Sequence, residues 1–124
     1  MVGEYYPYTL TDSVTLTGST SGTIVLTIGA TEEFRGRAIY FQSTGAFSIT
    51  KIYDSSGKPY TNADSTNIIP STLFLTTLDQ AGFVGEFYTE LQLVPNTTLY
   101  IDVLDTSTAS NTIRAFIVGK KKVL

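Results

Sequence analysis

Apolar side chains recur along this chain with a period of two, the signature of strands, whose successive side chains point to opposite faces. In "TIVLTIG", Ile24, Leu26 and Ile28 fall on one side and Thr23, Val25 and Thr27 on the other, as in a half-buried strand. "RAIYFQ" sets Ala38 and Tyr40 against Ile39 and Phe41, which predicts a strand covered on both sides. In "AFSITKIYDSSGKPY", Phe47 and Ile49 oppose Ser48, Thr50 and Ile52 before a Ser-Ser-Gly turn.

The stretch "TNADSTNIIPSTLFLTTLDQAGFVG" is less regular and predicts a long connection carrying one short strand. Beyond Glu86 the alternation resumes. Phe87, Leu91 and Leu93 share a face that Thr89 interrupts, with Tyr88, Glu90 and Gln92 opposite. After "VPNTT", Leu99, Ile101 and Val103 oppose Tyr100, Asp102 and Leu104. After "DTSTASN", Ile113, Ala115 and Ile117 oppose Arg114, Phe116 and Val118, and these last two runs are expected to pair as an antiparallel hairpin. The Ser/Thr-rich "TLTGSTSGT" reads as a hairpin loop.

No segment carries a 3.6-residue apolar period between caps, so helix is limited to single turns, with "ATEEF", capped by Thr31, and "TTLDQAG" as candidates. The predicted fold is all-β: an antiparallel two-sheet sandwich of about eight or nine strands, of jelly-roll or related Greek-key topology, with little or no helix. At 124 residues the chain fits a single domain, 1–124, with residues 1–12 as a possible N-terminal arm.

Composition narrows the function classes. The chain has 42% hydrophobic and 15% charged residues, too apolar for disorder and too poor in charge for a long solvated helix. A net charge of −3 argues against a protein whose task is to grip phosphate backbones, so no nucleic-acid partner is expected. No apolar run is long enough for a membrane-spanning helix, and "MVGEYYPYTL" lacks the basic flank and apolar core of a signal peptide, so no membrane partner is expected.

The chain contains neither His nor Cys, which removes the commonest general base, the imidazole and thiolate ligands, and the Ser-His and Cys-His nucleophile pairs. Carboxylate pairs remain, Asp102 with Asp105 and Glu86 with Glu90, and a glycosidase would need one at a defined separation inside a cleft. Trp, the usual sugar platform, is absent. The turns at Asp54–Gly57 and Asp105–Asn111 offer oxygen ligands but not the dense acids of a calcium loop. "NTT" at Asn96 matches a glycosylation sequon, and no phosphate-cradling or dinucleotide motif is present. No catalytic, metal or cofactor residues are assigned, and the expectation is a protein that is not an enzyme.

Binding features are stronger. Tyr5, Tyr6 and Tyr8 form an aromatic N-terminal stretch suited either to an intermolecular contact or to folding back as an edge strand. Lys120, Lys121 and Lys122 close the last strand, where lysine either keeps a sheet edge soluble or meets an acidic partner. Arg35 and Arg37 face one way on their strand, and with Arg114 they are candidates for intersubunit ion pairs.

"FSITKIYDSSGKPYTN" and "LQLVPNTTLYIDVLDTSTASNTIRAFIVGKKK" together resemble small virion proteins of tailed bacteriophages that decorate or cement the capsid. The resemblance is closest over the carboxy-terminal third. It implies a jelly-roll sandwich and a non-enzymatic structural protein without cofactor. Such a protein would be made in the host cytoplasm and carried on the capsid surface of the virion as a homo-oligomer, a dimer or trimer, bridging copies of the major capsid protein. The alternative is a carbohydrate- or receptor-binding module of a phage tail, fibre or cell surface, in which Tyr53, Tyr60, Tyr88 and Tyr100 would gather as stacking platforms.

Overall fold

The computed structural model describes residues 4–61, 68–73, 75–78 and 82–124. These form nine strands: β1 (Tyr5–Thr17), β2 (Ser21–Thr27), β3 (Glu32–Ser43), β4 (Phe47–Asp54), β5 (Ile69–Pro70), β6 (Leu75–Leu78), β7 (Gly82–Leu93), β8 (Thr98–Asp105) and β9 (Ser110–Val123), with one 3-10 turn at Ser71–Leu73. They make two antiparallel sheets, of order β1-β9-β3-β7-β6 and β2-β8-β4-β5. Pairing is nested: β1 joins β9, β2 joins β8, β3 joins β7 and β4 joins β5, as in a long folded-over ribbon.

The sheets pack face to face over one core. Ile24, Leu26, Ile52, Leu99 and Ile101 of the four-stranded sheet meet Phe34, Ile39, Phe41, Leu93, Ile113 and Ile117 of the five-stranded one. All of these are almost completely buried, and together they supply the main driving force for folding. The alternations expected for β2, β8 and β9 hold, with Val25 and Val118 exposed on the outer faces.

Two expectations fail in strands that carry β-bulges, and in β4 the extra residue flips the side on which later side chains fall. In β4 the register against β8 slips between Ile49 and Lys51. Ile52 therefore turns into the core beside Phe47 and Ile49. In β3 the register slips after Gly36 against both neighbours. Beyond this slip the expected facing holds, with Ile39 and Phe41 in the core and Tyr40 on the opposite side, but Tyr40 is 37% exposed, so the strand is covered on one side only. Gly36 and Gly119 face each other at the bulge, and a Cβ on Gly119 would collide with the Arg35 carbonyl oxygen. The backbones approach too closely there for a side chain.

The last two runs do not pair with one another. β8 lies in the four-stranded sheet and β9 in the five-stranded one, so "DTSTASN" crosses between sheets. Each run has one apolar face, and facing across the core buries both, which a shared hairpin on one sheet does not require. The crossing is held by Asn111, which is completely buried. Its Nδ2 donates to the Ala46 carbonyl and to Asp105 Oδ1, while its Oδ1 accepts from the Gly45 N–H and the Thr44 hydroxyl. "TLTGSTSGT" is likewise a sheet-crossing corner, because β1 and β2 belong to different sheets. The Thr20 hydroxyl donates to the Thr17 carbonyl there. Asp12 accepts the Val25 N–H at 3.1 Å, tying β1 to β2.

The irregular middle contains two short strands, β5 and β6, rather than one. Residues 62–67, 74 and 79–81, including part of "TTLDQAG", lie outside the described residues. In "ATEEF", Ala30 and Thr31 form a turn and Glu32, Glu33 and Phe34 already belong to β3, so no helical turn forms there.

Candidate functional site

Tyr5, Tyr6 and Tyr8 lie in β1, the edge strand of the five-stranded sheet, in register with Lys122, Lys121 and Gly119 of β9. The tyrosine stretch is thus folded back into the sheet. The lysine block does not protect an edge: β9 is an interior strand between β1 and β3. Its lysines sit beside aromatic rings because the antiparallel register brings the two chain ends together. Lys121 Nζ lies 4.1 Å from the Tyr8 ring centre and is paired with Glu32. Lys122 and Arg35 approach the Tyr5 ring at 5.5 and 5.0 Å, and the Tyr5 hydroxyl donates to Glu33. The Lys121 partner holds the Glu32 carboxyl below its usual range, and the same bond raises Lys121.

The outer face of the five-stranded sheet carries the most unsatisfied surface. Val118 of β9 is 57% exposed, Tyr88 of β7 66% and Tyr40 of β3 37%, with half-buried Phe116 among them. Large apolar groups on the outside of central strands are unusual unless something covers them. Arg35 and Arg37 of β3 and Lys120 of β9 lie along one side of this patch and Glu86 and Glu90 of β7 along the other. Among the described residues the one ion pair is Lys121–Glu32, which leaves Arg37, Arg114, Glu86 and Glu90 without a charged partner. An open groove of about 1020 Å³ follows this face and is lined by Arg35, Arg37, Tyr40, Tyr88, Glu90, Val118 and Lys120, among others. Arg114 lines a separate hollow of about 230 Å³ with Gln42, Ser43, Thr44 and Thr112.

The other candidate chemistries are dispersed. Asp102 points outward, where its Oδ1 accepts from Thr23 at 2.7 Å, whereas Asp105 points inward and is buried, so the two carboxylates lie on opposite sides of β8. Burial alone would raise Asp105, but hydrogen bonds from the Ser107 hydroxyl and N–H and from Asn111 hold it below the usual carboxylate range. Asp54 is similar: burial opposes ionisation, and donors from Ser56, Lys58 and Tyr60 outweigh it. Its Oδ1 accepts from the Ser56 N–H and hydroxyl and the Lys58 N–H, and its Oδ2 from the Tyr60 hydroxyl, so this turn consumes its own carboxylate. Among the described residues no three acidic groups converge.

The four candidate sugar platforms do not gather. Tyr53 and Tyr100 stack on each other at 5.1 Å on the outside of the four-stranded sheet. Tyr60 packs against the core, and Tyr88 is on the opposite outer face. Asn96 of the sequon sits in the turn before β8 with a positive φ of 63°.

Sequence reasoning missed Tyr40, Phe116 and Val118 as surface features. Two apolar residues opposite Ile113, Ala115 and Ile117 were a signal of an outward apolar stripe. Tyr40 was missed because its strand was expected to be covered on both sides. Comparison with protein-family models, with curated proteins and with solved structures finds no match to the chain.

Proposed function

We propose that this protein is a non-enzymatic structural component of a virion, attached to the outer surface of a phage capsid and working through protein–protein contacts made by the outer face of its five-stranded sheet. The observation that carries the reading is the exposed Tyr88, Tyr40 and Val118 patch flanked by unpaired Arg37, Glu86 and Glu90. A patch of this kind gains by being covered: apolar area leaves water at its centre, while rim charges select and orient the partner. The capsid setting comes from the resemblance of the carboxy-terminal third. The nested strand pairing, with β6 as an added edge strand, supports a jelly-roll reading of the sandwich. Repetition over many shell sites would let individually weak contacts hold.

The test is co-sedimentation with expanded, undecorated shells assembled from the major capsid protein of the same genome. The wild-type protein is expected to saturate the shells, and Tyr88→Ala combined with Val118→Asp to lose most of the binding. A wild-type protein that stays in the supernatant would overturn the capsid reading. Undiminished binding by the double variant would overturn the choice of face.

A further inference from the structure

We infer that the partner seated on the outer face of the five-stranded sheet is a second copy of this chain, placed so that β3 of each copy lies over β7 of the other. The inference rests on the reading of this face as the assembly surface and names its occupant: copies pair through this face on the shell, so losing the pair loses the bivalent hold on the shell.

A two-fold contact is self-complementary: if residue i of one copy meets residue j of the other, then j also meets i. This face meets that condition where β3 and β7 adjoin, because cations without an ion-pair partner stand on β3 and anions without one on β7. Arg37 stands on β3, while Glu86 and Glu90 stand on β7. At the bulge, Arg37 falls opposite the Thr89–Glu90 stretch, between the register pairs Gly36–Leu91 and Ala38–Tyr88. A two-fold axis in the plane of contact, running along the strands between β3 and β7, exchanges these positions. Arg37 of each copy then lies over Glu90 of the other, forming two equivalent pairs. Tyr88 of each copy lies over the bulged part of β3 in its partner, against Ala38 and beside Tyr40. A purely basic or acidic patch would point to an oppositely charged partner; a patch that carries both signs on adjacent strands fits itself.

The area is consistent with such a pair. Strands stand ~4.8 Å apart and rise ~3.3 Å per residue, so four strands over about eight residues present on the order of 500 Å² per copy. Two copies would bury on the order of 1,000 Å², the lower range for specific association, so a reversible dimer is expected rather than an obligate one.

Sedimentation velocity of the full chain from ~10 to ~500 µM gives the first readout, and the wild-type protein is expected to shift from monomer to dimer over that range. Arg37→Glu alone sets like charges opposite each other twice, as does Glu90→Arg alone, and each is expected to weaken self-association at least ~10-fold. Mixing the two variants in equal amounts creates dimers in which both contacts are again between opposite charges, and association is expected to return to within ~3-fold of wild type. An ion pair formed only within a chain would not be restored by mixing. Circular dichroism of each variant confirms that the surface change leaves the fold intact.

A wild-type protein that remains monomeric throughout overturns the inference. If shell binding then still requires Tyr88, the reading of the face stands with another partner; if it does not, that reading fails as well. A dimer unaffected by either charge reversal, or not recovered on mixing, overturns the β3-on-β7 contact.

Discussion

Replacing Asn111 by alanine removes the side chain that turns the chain from one sheet to the other. Four hydrogen bonds disappear at once: to the Ala46 carbonyl, to Asp105 Oδ1, and from the Gly45 N–H and Thr44 hydroxyl. At a net ~1 kcal/mol for each, with some access of water to the partners that are only part-buried, the loss is about 3–4 kcal/mol. A domain of this length has a stability on the order of 6–19 kcal/mol, so the change is a large fraction of the total. At about 3–6 °C per kcal/mol, the melting temperature should fall by ~10–20 °C. Asn111→Asp sharpens the test, because its carboxylate would face Asp105 and the Ala46 carbonyl, acceptors with no proton to offer. At pH 7 it is expected to be less stable than the alanine variant. The gap should narrow as the pH is lowered from about 7 to about 5, because the like-charged neighbour raises the new carboxyl and favours its protonated form. The assay is thermal unfolding by circular dichroism at both pH values. An alanine variant melting within ~2 °C of wild type would refute the reasoning, as would an aspartate variant indifferent to pH.

Gly119→Ala places a methyl group on the Arg35 carbonyl and is expected to cost more than ~2 kcal/mol, read from the urea midpoint; a neutral result would contradict the close approach at the bulge. Lys121→Ala breaks the Glu32 pair and the Tyr8 contact and should destabilise by ~0.5–2 kcal/mol, whereas exposed Lys120→Ala should change stability by less than ~0.5 kcal/mol, so equal effects in chemical denaturation would count against the internal lysine–tyrosine cluster. Asp54 and Asp105 are held below their unfolded values, so their contribution is present above about pH 4 and is lost as pH falls through the lower folded values. Tyr60, pushed to about 12 by burial and by Asp54, contributes below its ordinary value near 10 and loses that contribution as pH rises toward 12. Tyr60→Phe should flatten the alkaline limb of a stability–pH profile, and an unchanged limb would argue against the Tyr60–Asp54 bond.

Strand existence and facing were legible wherever one strand's own alternation decides them, as in β2, β8 and β9. The bulges were not, because a bulge is defined by the partner strand: nothing in "FSITKIY" alone says that Thr50 will be the extra residue against β8. The sheet crossing between β8 and β9 was hidden for the same reason. Asp105 and Asn111 look like ordinary turn residues, and Asn111 chooses its sheet through Ala46, 65 positions away. At the candidate site, the lysines and tyrosines were visible as clusters, but the register between β1 and β9 turned them into partners of one another. The outward patch emerged only once strand pairing set Tyr40 beside Phe116 and Glu86 and the bulge turned Arg37 to the same face.

Hydroxyl-radical footprinting is the most direct probe of which face is used, since tyrosines report from both sides of the sandwich. Free protein, dilute enough to be monomeric, is compared with protein saturating expanded shells, and oxidation is read by mass spectrometry at Tyr40 and Tyr88 on one face and at Tyr53 and Tyr100 on the other. The expected result is strong protection of Tyr40 and Tyr88 with Tyr53 and Tyr100 unchanged. Protection confined to Tyr53 and Tyr100, or to neither pair, would contradict the claim that the outer face of the five-stranded sheet is the working surface.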